Sequence, residues 1–118
     1  MSPCVYKLFR QSEWHEAART GLFTGSADDR RDGFIHLSAA SQVRGTFEKY
    51  FAAEREPVLA GFDADSFGAA LKWEISRNGE QFPHLYGVLD LARALSVSRI
   101  SRDRSGAPAF PTEIPVPQ

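Results

Sequence analysis

Asp32-Gly33-Phe34-Ile35-His36-Leu37-Ser38 reads as a short buried strand running straight into a helix cap. Phe, Ile and Leu suit a buried, pleated surface, and Ser38 suits the residue that caps a helix. The one polar side chain inside the strand is His36. A buried imidazole without a hydrogen-bond partner is costly, so His36 either finds one in the core or lines a cavity. A second histidine has a similar setting in Phe82-Pro83-His84-Leu85-Tyr86. Two histidines embedded in apolar, aromatic strand-like runs point to a site.

On the N-terminal side, Val5-Tyr6-Lys7-Leu8-Phe9 reads as a first strand. Ser12 is expected to cap a helix with Glu13 in its first turn. Trp14, Ala17 and Ala18 share one face of that helix, and Gly21 follows its last turn. Residues 24–33 form a polar loop that leads into the His36 strand. On the C-terminal side, Ser38 opens a second helix whose Val43, Phe47, Tyr50 and Phe51 recur at helical spacing. Val58 to Phe62 reads as a strand, followed by a turn at Asp63-Ala64-Asp65 and a helical turn through Phe67. Leu71 to Ser76 alternates, with Leu71, Trp73 and Ile75 on one face and Glu74 on the other. Asn78-Gly79 signals a turn. His84 to Leu89 and Leu95 to Ile100 read as the last strands.

The order strand, helix, strand, helix, then several strands predicts an α+β fold. Two helices fall in the N-terminal half, and the sheet is mostly antiparallel. The 118 residues, 42% hydrophobic and 25% charged, fit a single domain with a core over about residues 5–101. The tail, residues 102–118, carries Pro108, Pro111, Pro115 and Pro117. It cannot be a central strand or a helix, which leaves an extended wrap or partial disorder.

The formal net charge of −1 argues against a dedicated duplex-binding protein, which normally carries a broad basic surface. A small phosphate-bearing ligand needs only a few well-placed cations. No stretch is long and apolar enough to span a bilayer. Cys4 is the single cysteine, so no internal disulfide forms. With no secretory pattern in Met1-Ser2-Pro3-Cys4, the expected compartment is the cytoplasm.

Each candidate residue has a functional and a structural role open to it. His36 is a ligand-binding imidazole at a cleft mouth or a core histidine bonded to a carbonyl. Ser38, two residues on, shares its face if the strand continues, or simply caps a helix. His84 and Tyr86 form a second same-face pair, a site or a packed aromatic cluster. Glu74 is a general base, a ribose-hydroxyl acceptor or an outer-face carboxylate. Lys7, Arg10, Arg30 and Arg31 are phosphate clamps, or the Arg30-Arg31 pair is spent on Asp28, Asp29 and Asp32. The spacing of His15, His36 and His84 matches no metal motif, so no metal is expected. Cys4 sits at a strand end without a helix N-terminus to activate it.

Tyr6-Lys7, Trp14, the residues 32–38, Gln42, Trp73-Glu74 and Phe82-Pro83-His84-Leu85-Tyr86-Gly87 together resemble the signature of a bacterial and plant family, domain of unknown function 952. The resemblance runs from about Val5 to Ile100. That family is more distantly similar to the ADP-ribosyltransferase-like fold and its RNA 2′-phosphotransferases. The matching stretches are Ile35-His36-Leu37-Ser38 and residues 57–64. The resemblance implies a transferase using NAD or another nucleotide, with His36, His84 and Glu74 as catalytic residues. It implies cofactor contacts from Tyr6, Lys7, Arg31, Ser38 and Tyr86. The first strand departs from the pattern: Lys7-Leu8 follows Tyr6 where the phosphotransferases carry His-Gly. A non-catalytic module binding a nucleotide or anionic metabolite is the alternative.

Overall fold

Two adjacent strands, β1 (Cys4–Phe9) and β5 (Val58–Asp63), organise the molecule. They pair antiparallel along their whole length, from Cys4↔Asp63 to Phe9↔Val58. Both are apolar runs rather than alternating ones, because both faces are covered. Val5, Phe9, Ala60 and Phe62 face one core, and Tyr6, Leu8 and Leu59 face a second. Gly61 permits the close fit on that second side. A Cβ there would lie 2.9 Å from Cε2 of Tyr6 and 2.7 Å from Oγ of Ser96.

The computed structural model describes residues 3–116. Met1-Ser2 of the N-terminal stretch and Pro117 of the tail lie outside the described residues. Helix α1 (Gln11–Thr20) follows β1 and ends at Gly21, whose φ of 83° is the left-handed conformation glycine adopts freely. β2 (Leu22–Phe23), α2 (Ala27–Asp32), β3 (Ile35–His36), β4 (Ser38–Ala39) and α3 (Val43–Tyr50) complete the N-terminal half. After β5 come β6 (Leu71–Ile75), β7 (Gln81–Leu85), β8 (Leu89–Asp90) and β9 (Ser96–Arg99). The strands form three sheets in the orders β4-β1-β5-β9, β2-β8 and β3-β7-β6, and every pairing is antiparallel. The fold is α+β, as the element order predicts.

The structure corrects several local expectations. Arg10, not Ser12, is the N-cap of α1, with its main-chain N–H donating to Glu13 Oε1 at 2.8 Å. The polar residues 24–33 are not all loop. Ser26 accepts from the Asp29 N–H, Asp29 accepts from the Ser26 N–H, and this capping box starts a third helix, α2. The His36 strand stops after two residues. Ser38 therefore belongs to a different sheet, pairs with Tyr6 across β1–β4, and caps no helix. The turn before α3 is held instead by Gln42, whose Oε1 accepts from the Ala39 N–H at 2.9 Å.

Two faces are also reassigned. Trp73 and Ile75 are exposed, Ile75 by 67%, so the face of β6 that carries them is not covered among the described residues. Tyr50 is likewise exposed at 49%, while Val43, Phe47 and Phe51 are buried. β7 ends at Leu85, so the expected strand through Leu89 is two strands in two sheets. The tail wraps around the body. Ile114, only 2% exposed, joins the second core, so that core extends past residue 101.

Candidate functional site

Strands β3 and β7 pair with Ile35 opposite Leu85 and His36 opposite His84. Directly opposed residues of an antiparallel pair project to the same side, so the two imidazoles meet. Their ring centroids lie 5.7 Å apart, at an interplanar angle of 69°. Phe34 packs against both, stacked on His84 at 4.0 Å and tilted against His36 at 4.6 Å.

The His36 side is fixed from α2. Gly33, at φ 87°, ends that helix and turns the chain directly into β3. The helix then lies over the strand it precedes. Asp29, 2% exposed, accepts from the His36 main-chain N–H at 3.0 Å and holds His36 Nδ1 at 2.6 Å. Asp32 Oδ2 lies 2.9 Å from His36 Nε2. Carboxylate oxygens thus lie within hydrogen-bond distance of both ring nitrogens.

Lys7 is the charged residue in the middle of β1. Its Nζ donates to both Asp29 carboxylate oxygens, at 3.1 and 3.3 Å, and to the His36 carbonyl at 3.0 Å. Three acceptors match the three N–H groups of an ammonium. Burial pulls the Lys7 pKa below the ordinary lysine value, and Asp29 opposes that shift. Asp29 is held well below the usual carboxylate range: burial raises it, but hydrogen bonds from His36 and the charge of Lys7 lower it further. The direction for Asp29 follows its four-fold hydrogen bonding, so the pair is ionic.

His84 is arranged differently. Its Nδ1 lies 2.8 Å from Glu74 Oε1, and the Tyr86 hydroxyl donates to that same oxygen at 2.7 Å. The Tyr86 and His84 hydrogen bonds lower the Glu74 pKa, while the bond to Glu74 raises that of Tyr86. His84 is 4% exposed, yet its Nε2 has no protein partner among the described residues. No side-chain nitrogen or oxygen sealed from solvent lacks a partner among them, so solvent reaches Nε2.

His84 lines a cavity of about 230 Å³ between α2 and α3, together with Lys7, His36, Ser38, Thr46 and Arg77 among others. Tyr6 and Arg31 also line it. The Tyr6 ring, however, is packed in the second core, and Arg31 is held by Asp28 and Asp32, the local ion-pair arrangement of these neighbouring charges. Glu74 and Tyr86 are outside the lining and act on it through His84. Ser38 reaches the cavity from β4, with its Oγ 2.9 Å from Thr46 Oγ1. Arg30 turns away to Thr24. His15 and Cys4 are exposed and are not among the lining residues. Among the described residues, no three His, Cys, Asp or Glu side chains are grouped to hold a metal, and no helix is long and apolar enough to cross a membrane.

Asp29, Asp32, Phe34, Thr46 and Arg77 were not expected from the sequence as site residues. The Ser26-x-x-Asp29 spacing followed by Gly33 is the signal that would have found α2 and its carboxylates.

The same architecture occurs in solved structures. The crystal structure of protein CC0527 from Caulobacter crescentus is 40% identical to this chain, with a TM-score of 0.83 over 90% of this chain and 93% of that one. Its solution NMR structure is 41% identical, with a TM-score of 0.78 over 89% and 90%. No curated protein matches the chain. Residues 8–97 match the family described as "Protein of unknown function (DUF952)", and the chain belongs to that family.

Proposed function

We propose that the cavity holds the ribosyl end of a nucleotide such as NAD, and that His84 acts there as a base in a transferase of the ADP-ribosyltransferase-like class. The observation that carries this reading is the meeting of two unlike imidazoles, ring centroids 5.7 Å apart, in the lining of one cavity. His84 has a carboxylate behind Nδ1 and a solvent-reached Nε2, the arrangement that orients a general base. His36 has both nitrogens engaged and serves as a donor. A ligand hydroxyl takes the place of Asp32 at His36 Nε2, and Asp32, 33% exposed, keeps its two hydrogen bonds from Arg31.

The cavity volume of about 230 Å³ suits a ribosyl group with its leaving base rather than a whole dinucleotide, whose remainder would run out along the open mouth. The acceptor hydroxyl gives its proton to His84 Nε2 as its oxygen bonds to C1′ of the ribose. The C1′–nitrogen bond breaks, and nicotinamide leaves as a neutral molecule. Glu74 is a positioning residue that stabilises the imidazolium so formed. The exposed single cysteine agrees with a reducing compartment such as the cytoplasm.

Calorimetry with NAD and with nicotinamide riboside, alongside chromatographic detection of released nicotinamide, tests the proposal. His84→Ala should abolish release, and Glu74→Gln should lower it. Absence of heat with both compounds at millimolar concentration, from folded protein, would sink it. A second reading is a binding module without turnover. It is favoured by Lys7, which is consumed by Asp29 at the strand position where the phosphotransferases present a ribose-holding histidine. Binding with the ligand recovered unchanged selects that reading.

A further inference from the structure

Four lysine or arginine side chains line the cavity, and three already face carboxylates. Lys7 pairs with Asp29, Arg10 with Glu13 and Glu54, and Arg31 with Asp28 and Asp32. Arg77 has no ion-pair partner among the described residues. Glu80, three residues on, accepts from Gln42 instead. An arginine carries five N–H groups in a planar fork suited to a phosphate. The protein accepts from one nitrogen of this fork, Nη2, through Thr46 Oγ1 at 3.2 Å.

The guanidinium is also held in place. Its carbon lies 4.8 Å from the centroid of the Phe82 ring, an interaction that fixes its plane. Thr46 Oγ1 in turn shares a hydrogen bond with Ser38 Oγ at 2.9 Å, so two hydroxyls and a guanidinium form one wall. Phe82 and His84 are two residues apart on β7 and project to the same side, a step of about 7 Å along the strand. The guanidinium seated on Phe82 and the His84 imidazole therefore line the same cavity from neighbouring same-side positions of β7.

We propose that Arg77, Thr46 and Ser38 form an anion subsite for the 5′-phosphate of a ribosyl ligand whose sugar lies in the cavity against the adjoining His36 and His84 rings. This rests on the ribosyl reading given above and adds the ligand's chemical class: a 5′-phosphorylated pentose rather than a free nucleoside. The phosphate accepts from the N–H groups that Arg77 leaves unused. The Ser38 and Thr46 hydroxyls reorient to donate to it.

The test is calorimetry on the full chain with ribose 5-phosphate, inorganic phosphate and nicotinamide riboside, repeated on Arg77→Gln and Thr46→Val, each checked for wild-type thermal unfolding. Ribose 5-phosphate should weaken about ten- to hundredfold in Arg77→Gln, the loss of a charge-assisted hydrogen bond, and several-fold in Thr46→Val. Nicotinamide riboside, which has no phosphate, should bind both variants as it binds the wild type. Equal affinity of wild type and Arg77→Gln for ribose 5-phosphate overturns the subsite and leaves the ribosyl reading standing. Inorganic phosphate binding as tightly as ribose 5-phosphate overturns the pentose part. If neither sugar compound binds the wild type, the ribosyl reading and the subsite fall together.

Discussion

One carboxylate fixes both the ring and the main chain of the first cavity histidine: Asp29 Oδ1 lies 2.6 Å from His36 Nδ1 and 3.0 Å from the His36 backbone nitrogen. The same carboxylate is anchored by Lys7 from the centre of β1 and by the Ser26 N–H at the start of its own helix. β1, α2 and β3 therefore meet on one side chain. The geometry of the cavity depends on it more than on any apolar contact nearby.

Breaking this pair from one side should be severe. Removing one partner of a buried ion pair leaves the other charge uncompensated, at a cost of about 3–5 kcal/mol. Asp29→Ala is expected to lose that much in urea unfolding, with His36 exposed to solvent exchange. Replacing both partners, as Lys7→Met with Asp29→Leu, should recover a large part of the loss. A single mutant that unfolds at the wild-type urea midpoint would show that the pair contributes little to stability.

The acid limb of the stability curve follows from the same residue. Asp29 is depressed in the folded state relative to an unfolded value near about 4. Between those two values the unfolded chain binds the extra proton, so stability rises with pH there. The contribution is complete above about pH 4 and is lost as the pH falls through the folded pKa. Thermal unfolding of wild type should weaken progressively below about pH 4, with Asp29→Asn visibly flatter over the same range. Parallel acid limbs for the two proteins would assign the effect to other carboxylates.

Strand runs with both faces covered, such as residues 58–62, were legible in the sequence because a short, continuous apolar run rich in β-branched and aromatic residues suits a strand buried on both sides. The meeting of His36 and His84 was legible for a related reason: each is the odd residue in a buried run. What could not be read was which strand each run pairs with. Ser38 sits two residues from His36 but joins another sheet: Leu37 still donates to the Pro83 carbonyl in register with β7, and Ser38 then pairs with Tyr6 of β1. Asp29 was hidden by composition. It shares residues 28–32 with two further aspartates and two arginines, which look like a solvated loop, and only the Ser26–Asp29 reciprocal cap turns them into a helix facing inward. Trp73 and Ile75 mislead in the other direction, since alternation shows that a strand has two faces without showing which one is covered.

Glu74 offers a direct probe of the His84 side. The Tyr86 hydroxyl is the foremost cause of its lowered pKa, ahead of His84. Tyr86→Phe should therefore move the Glu74 carboxyl upward toward the ordinary glutamate value of about 4.3, as followed by carbon-detected NMR titration. His84 keeps its Nδ1 contact in this variant. An unchanged Glu74 titration would mean that the two groups are not hydrogen-bonded in solution.

The tail is the last element whose role can be decided by a single substitution. Ile114 is 2% exposed in the second core, beside a Phe110 ring that meets Phe47 edge-on at 5.3 Å. Arg44 Nε donates to the Pro115 carbonyl at 2.7 Å, so the wrap is tied to α3, the helix that supplies Thr46 to the cavity wall. Ile114→Ala removes buried methyl groups from a packed site and should cost about 2–5 kcal/mol. The exposed neighbour change Thr112→Ala should stay within about 0.5 kcal/mol. Chemical denaturation of the two variants side by side makes the comparison. Equal stability would place the tail outside the cooperative fold. A large loss confined to Ile114→Ala would make residues 102–116 part of the structure that holds α3, and with it Thr46, against the cavity.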